Sequence, residues 1–88
     1  MILQMPLLRI KRPAEKDILD LAPDTRARVI ATIQALRENP LPHGTEKLQG
    51  RDREYRLRIG IYRILYEFDP AAGIITIYRV KHRREVYR

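Results

Sequence analysis

Residues 55–66, YRLRIGIYRILY, decide the reading of this chain. Apolar or aromatic residues alternate with arginine in Tyr55-Arg56-Leu57-Arg58-Ile59, and Tyr62-Arg63-Ile64-Leu65-Tyr66 answers them. Period-2 alternation of this kind marks strands with one buried face. Only Gly60 and Ile61 separate the runs, and glycine at the first of two turn positions is the signature of a type II′ hairpin. Such a turn fixes the register: Ile59 opposite Tyr62, Arg58 opposite Arg63, Leu57 opposite Ile64, Tyr55 opposite Tyr66. One face then carries Tyr55, Leu57, Ile59, Tyr62, Ile64 and Tyr66. The other carries Arg56, Arg58, Arg63 and Leu65.

Arg58 and Arg63 directly opposed are unfavourable by about 0.2–1 kcal/mol, because like charges repel across a strand pair. An anion bound between them would reverse that sign, and a row of guanidiniums suits a phosphate backbone. The alternative is a solvated basic face on an ordinary sheet.

The net charge of +7 is unevenly spread. Residues 1–50 hold eight Lys or Arg and six Asp or Glu, whereas residues 51–88 hold ten and five, and nine of those ten are arginines. The excess lies on the hairpin half, which points to nucleic acid or an acidic protein as partner. A membrane surface is disfavoured, since the basic residues fall on strands and not along an amphipathic helix. With 88 residues and 44% hydrophobic content the expectation is one domain spanning residues 1–88 with a modest core. The chain has no cysteine, which excludes disulfides and thiolate metal sites. The opening MILQMPLLRI is short and poor in basic flanks for a signal peptide, and no apolar run reaches the length of a transmembrane helix. The default expectation is therefore a cytoplasmic protein.

Upstream of the hairpin, Leu7 to Lys11 reads as a short strand. Pro13 opens a helix where proline is tolerated, with Ala14, Ile18 and Leu21 as its apolar stripe. Ala22-Pro23-Asp24 ends it and starts a second helix running to about Glu38, with Val29, Ile33 and Leu36 facing inward. The short break implies an antiparallel helix pair. Residues 39–44 are a proline and glycine loop. Downstream, Asp69-Pro70-Ala71-Ala72-Gly73 fits a hairpin loop with glycine at a left-handed position. In the last strand, Ile74 to Lys81, Ile75 and Ile77 take one face and Ile74, Tyr78 and Val80 the other. Apolar residues on both faces imply a central strand. The expected fold is α+β: an antiparallel four-stranded sheet in the order β-α-α-β-β-β, the helix pair on its aromatic face and an open basic groove on its arginine face.

This order of elements, together with KLQG, YRLRIGIYRILYEF and the closing VKHRREVYR, resembles the RelE/ParE superfamily of toxin–antitoxin toxins, the RelE branch most of all. The resemblance covers nearly the whole chain and is strongest from Lys47 to Tyr87. It implies a RelE-like fold and a ribosome-dependent endoribonuclease that cuts mRNA in the ribosomal A site. It also implies cleavage without cofactor or metal, by attack of the 2′-hydroxyl on the neighbouring phosphodiester. Carried over position by position, it places the site on Arg56, Arg58, Arg63, Arg83 and Tyr87. The neighbouring Arg79, Lys81 and Arg84 are expected to contact RNA. The implied partner is a cognate acidic antitoxin in a heteromeric complex.

The chemistry asks for such residues. Phosphodiester cleavage builds negative charge on the phosphorane and the leaving 5′-oxygen, and fixed guanidiniums stabilise it. Arg58 and Arg63 would clamp one phosphate, and Tyr87 would stack on a base or orient the 2′-hydroxyl; packing of the tail is its bland alternative. Active relatives often carry lysine on the strand that here bears Arg56 and Arg58, and arginine does not act as a base. His82 is the candidate base, with a solvated strand-end histidine as the equal alternative. Glu67 is a weaker one, better suited to a salt bridge, and no catalytic role is expected for His43. Two other readings stay open: a ParE-like inhibitor of DNA gyrase, and a non-catalytic module that binds RNA or an acidic partner.

Overall fold

The computed structural model describes residues 5–50 and 52–82. Its elements are β1 (Leu7–Ile10), α1 (Arg12–Leu19), α2 (Pro23–Ala35), β2 (Thr45–Lys47), β3 (Glu54–Ile59), β4 (Tyr62–Asp69) and β5 (Ile74–His82). The sheet is five-stranded in the order β1-β5-β4-β3-β2.

The central hairpin forms as its alternation dictates. Ile59 pairs with Tyr62, Arg58 with Arg63, Leu57 with Ile64 and Tyr55 with Tyr66. Gly60 turns the chain with a φ of 54°, a left-handed value that costs glycine nothing and a side chain about 1 kcal/mol. The next loop closes as expected, with the Gly73 N–H donating to the Asp69 carbonyl at 2.8 Å and the Ala72 N–H to Asp69 Oδ1 at 3.1 Å.

The sheet departs from the four-stranded antiparallel expectation in two ways. β1 runs parallel to β5, Leu7 opposite Ile74 and Ile10 opposite Ile77. And Thr45–Lys47, only three residues long, adds an edge strand antiparallel to β3. A third departure lies inside β5. Its register against β4 shifts between Leu65 and Tyr66: Arg79 pairs with Leu65, but Ile77 pairs with Tyr66. Tyr78 is the extra residue of a bulge, and a bulge resets the alternation. Val80 therefore joins Ile75 and Ile77 on the core face, all three buried, instead of pointing away with Ile74.

One apolar cluster holds the layers together. Ala14 and Ile18 of α1, Leu21 between the helices, Val29 and Ile33 of α2 and Leu36 at its C-cap meet Leu57, Ile64, Tyr66, Ile75, Ile77 and Val80 of the sheet. Helices of 8 and 13 residues are marginal alone, so this burial, at about 1.5–3 kcal/mol per large side chain, is what orders them. Two polar ties fix the ends. Tyr66 donates its hydroxyl to the Pro40 carbonyl at 2.6 Å, and Arg37 Nε donates to the Pro6 carbonyl at 2.9 Å. Among the described residues no helix is long and apolar enough to cross a membrane.

Candidate nucleic-acid interface

With the helices on one face, the other face of the sheet is read as rows across the strands, because directly paired residues share a face. Arg58 on β3 pairs with Arg63 on β4, and Arg63 pairs with Lys81 on β5. The central strands thus carry three cations side by side. The sequence reading found Arg58 and Arg63; the β4–β5 register adds Lys81 to their row.

Two residues along, the next row is built differently. Glu46, Arg56, Leu65 and Arg79 follow one another across β2, β3, β4 and β5. Arg56 Nη2 lies 2.8 Å from Glu46 Oε2, and Arg79 donates to Asp17 of α1 from Nε at 2.8 Å and from Nη2 at 3.0 Å. Asp17 also accepts the Val80 N–H at 2.9 Å. The hydrogen bond and charge of Arg56, helped by Arg58 and Arg63, hold the Glu46 carboxyl below its usual range. Burial alone would push the Asp17 carboxyl up, but the hydrogen bonds from Arg79 and Val80 outweigh it and the net shift is downward.

A third row is acidic. Glu54 pairs with Glu67, and Glu67 with Thr76. The Tyr78 hydroxyl donates to Glu67 Oε1 at 3.4 Å. Burial first, then the charges of Glu67 and Glu54, push the Tyr78 hydroxyl above its usual range.

Three site expectations change in this geometry. Arg63 is not a wall of an open groove: it is only 3% exposed, whereas Arg58 is exposed and Lys81 half-buried. A guanidinium in that position acts on a ligand mainly through its field, which is stronger where water is excluded. His82 pairs with Tyr62, ring centroids 5.5 Å apart, on the opposite side of β5 from Lys81. The structure does not bring that imidazole to the cation row. Glu67 does lie on the arginine face, but its hydrogen bond is with Tyr78, two rows from Arg58. Arg83, Arg84 and Tyr87 lie outside the described residues.

A cavity of about 720 Å³ opens between α2 and the tip of β3, with Arg28, Ala35, His43, Leu57 and Arg58 among its lining residues. β2 pairs with β3 only as far as Leu57, which leaves Arg58 and Ile59 at the sheet edge beside this cavity. The Pro loop thus brings His43 near the cation row, a proximity that its place in the sequence did not signal.

Known proteins share this fold. The family model for the ParE toxin of type II toxin–antitoxin systems matches residues 8–87. The chain is 31% identical to the RelE1 toxin of Methanocaldococcus jannaschii over 84 residues, spanning 92% of this chain and 93% of that one. It is 30% identical over 82 residues to toxin RelG of Mycobacterium tuberculosis, spanning 92% and 94%. Among solved structures, the archaeal RelE–RelB complex from Pyrococcus horikoshii superposes with a TM-score of 0.81 at 25% identity, covering 91% of this chain and 97% of that chain. The toxin–antitoxin complex RelBE2 from Mycobacterium tuberculosis gives a TM-score of 0.78 at 28% identity, covering 91% and 100%. The chain belongs to the ParE toxin family and is a RelE-like toxin of a type II toxin–antitoxin system.

Proposed function

We propose that this toxin is a ribosome-dependent endoribonuclease that cleaves mRNA in the ribosomal A site. The observation that carries the reading is the row Arg58–Arg63–Lys81, three like charges set side by side on the sheet face that the helices leave uncovered. Such a row concentrates positive charge on one face and favours an anionic ligand there. The 2′-hydroxyl attacks the adjacent phosphorus, the P–O5′ bond breaks, and the products are a 2′,3′-cyclic phosphate and a 5′-hydroxyl. Negative charge grows on the phosphorane and on the departing oxygen. Arg58 contacts it, Arg63 adds a buried field beneath it, and Arg83 supplies a further guanidinium. Tyr87 stacks on a base or orients the attacking hydroxyl. With His82 turned to the other face, catalysis by this chain leans on charge stabilisation more than on a positioned imidazole base.

In the cell the toxin is held by a cognate antitoxin with an acidic segment. The two solved relatives described above are toxin–antitoxin complexes, and a chain of net charge +7 favours such a partner. Their association is salt-sensitive, and an affinity equal at low and high ionic strength would exclude the electrostatic part.

The test is induced expression with mapping of mRNA 5′ ends. New ends inside translated codons, suppressed by Arg58→Ala and Tyr87→Phe, support the nuclease. Growth arrest with intact mRNA favours the second reading, inhibition of DNA gyrase, which the match to the ParE toxin model keeps in play. A supercoiling assay then decides it.

A further inference from the structure

We infer that His43, in the Pro loop, is the proton acceptor for the attacking 2′-hydroxyl, a role that rests on the nuclease reading above and names the residue that supplies its base. Charge stabilisation carries most of the rate, but the hydroxyl must still lose a proton. Guanidiniums stabilise the charge that follows and do not take the proton themselves. The chain has two histidines and no cysteine. His82 packs against the Tyr62 ring, on the opposite side of β5 from Lys81. Glu46 is held by Arg56 at 2.8 Å, and its lowered carboxyl makes it a poor acceptor. His43 is exposed and lines the same cavity as Arg58, the exposed guanidinium of the site.

The fold holds His43 in that place. The Tyr66 hydroxyl anchors the Pro40 carbonyl at 2.6 Å, and Pro40 and Pro42 stiffen the loop. The Thr45 N–H donates to the Pro42 carbonyl at 3.1 Å and closes a four-residue turn, with His43 at its second position. Gly44, at the third, has a φ of 93°, a left-handed value that glycine adopts freely. Thr45 then pairs with Leu57. Because β2 runs antiparallel to β3, the residues just before Thr45 lie towards Arg58 and Ile59, the edge that β2 leaves open. The cavity between them, about 720 Å³, has room for one nucleotide. Its lining is apolar at Ala31, Ala35 and Leu57, and its other charged groups are Arg28 of α2 and Glu38 beyond it.

In this scheme an unprotonated ring nitrogen of His43 takes the 2′-hydroxyl proton, the O2′–P bond forms and the P–O5′ bond breaks. The departing 5′-oxygen takes a proton from water, and the imidazolium returns its own to solvent. Histidine suits the task because its ordinary charge change falls between pH 5 and 8.

The experiment is single-turnover cleavage by the full chain on ribosomes programmed with a short labelled mRNA and an empty A site, followed across pH 5.5 to 9. Wild-type cleavage should slow as pH falls, since the protonated base is inactive. His43→Gln should lower the rate constant by about 100- to 10,000-fold, flatten that limb and leave the protein concentration at half-saturation unchanged. Free imidazole should restore cleavage by His43→Ala, because the vacated cavity admits it. A wild-type rate and profile in His43→Gln would overturn the inference and leave the nuclease reading standing. So would loss of the limb in His82→Gln or Glu38→Gln instead. An equal drop at every pH, without rescue by imidazole, would make His43 a part of the loop's architecture and overturn its role as base. If wild-type protein cleaves nothing on the ribosome, the nuclease reading fails and the base with it. Circular dichroism of each variant separates lost chemistry from lost folding.

Discussion

Asp17 completes the edge of β5 that β1 leaves open: its Oδ2 accepts the Val80 N–H at 2.9 Å. β1 pairs with β5 only up to Ile10 opposite Ile77, and the chain then turns into α1 with the Lys11 N–H donating to the Ile77 carbonyl. One helical turn later a carboxylate stands where the next ladder acceptor would have been. The same side chain grips Arg79, so α1, the sheet edge and the row of Arg79 meet at one residue.

Asp17→Ala should destabilise the fold by about 2–3 kcal/mol, since it removes charge-assisted bonds and strands a backbone N–H at a strand edge. Arg79→Ala should cost about 1 kcal/mol or less, because that side chain is 38% exposed and water screens the pair. Urea denaturation of both variants checks the order. Equal losses would mean that the ion pair, and not the Val80 bond, is what matters.

The pH dependence follows from shifts of opposite kind at the two ends of the scale. Asp17 and Glu46 have carboxyls lowered in the folded state. The unfolded chain therefore binds protons more tightly, and the stability they contribute is complete above the ordinary carboxylate pKa of about 4 and is lost as pH falls below it. Tyr66 and Tyr78 have hydroxyls raised in the folded state, burial being the main cause for each. Their contribution is complete below the ordinary tyrosine pKa of about 10 and is lost as pH rises past it. Thermal melts from pH 3 to 11 should give a plateau between these limbs. Asp17→Asn should flatten the acid limb, and Tyr66→Phe the alkaline one.

Tyr66→Phe carries a second expectation at neutral pH. The Tyr66 ring is buried in the core, so phenylalanine keeps its packing and loses the bond to the Pro40 carbonyl. A cost of about 1 kcal/mol is expected from a chemical melt. Because that bond ties the Pro loop to the sheet, amide exchange should speed up at residues 41–44 more than in β4.

The hairpin was legible because its information is local: alternation sets the faces and a two-residue glycine turn sets the register. What escaped was set at a distance. Three residues, Thr45-Glu46-Lys47, carry too little pattern to declare a strand, and only the free edge of β3 makes them one. The direction of β1 depends on which edge of the sheet is open after two helices, which no spacing within LLRI records. The Tyr78 bulge erased the inference from alternation at Val80 and put Lys81 in register with Arg63. Burial of Arg63 follows from its place on β4, the central strand, although a basic residue in a period-2 pattern reads as exposed. The candidate site was legible as a set of residue types. Its arrangement into rows needed the registers of four strands.

Arg63 is where stability and function should separate most clearly. It is a cation 3% exposed, opposite Arg58 on one side and Lys81 on the other. Burying a charge costs several kcal/mol before any interaction recovers it, and two like charges in register add to the cost. Arg63→Met keeps much of the volume and the aliphatic stem while removing the charge. The variant should stay within about 2 kcal/mol of wild type in urea, because the cost of burying the charge and the interactions the guanidinium makes in the fold offset each other. RNA affinity at low salt should fall, and growth arrest on induction should be lost. A variant that is both more stable and still toxic would show that the buried guanidinium serves neither folding nor RNA. A variant that unfolds would show instead that Arg63 is needed where it lies, as part of the architecture of β4.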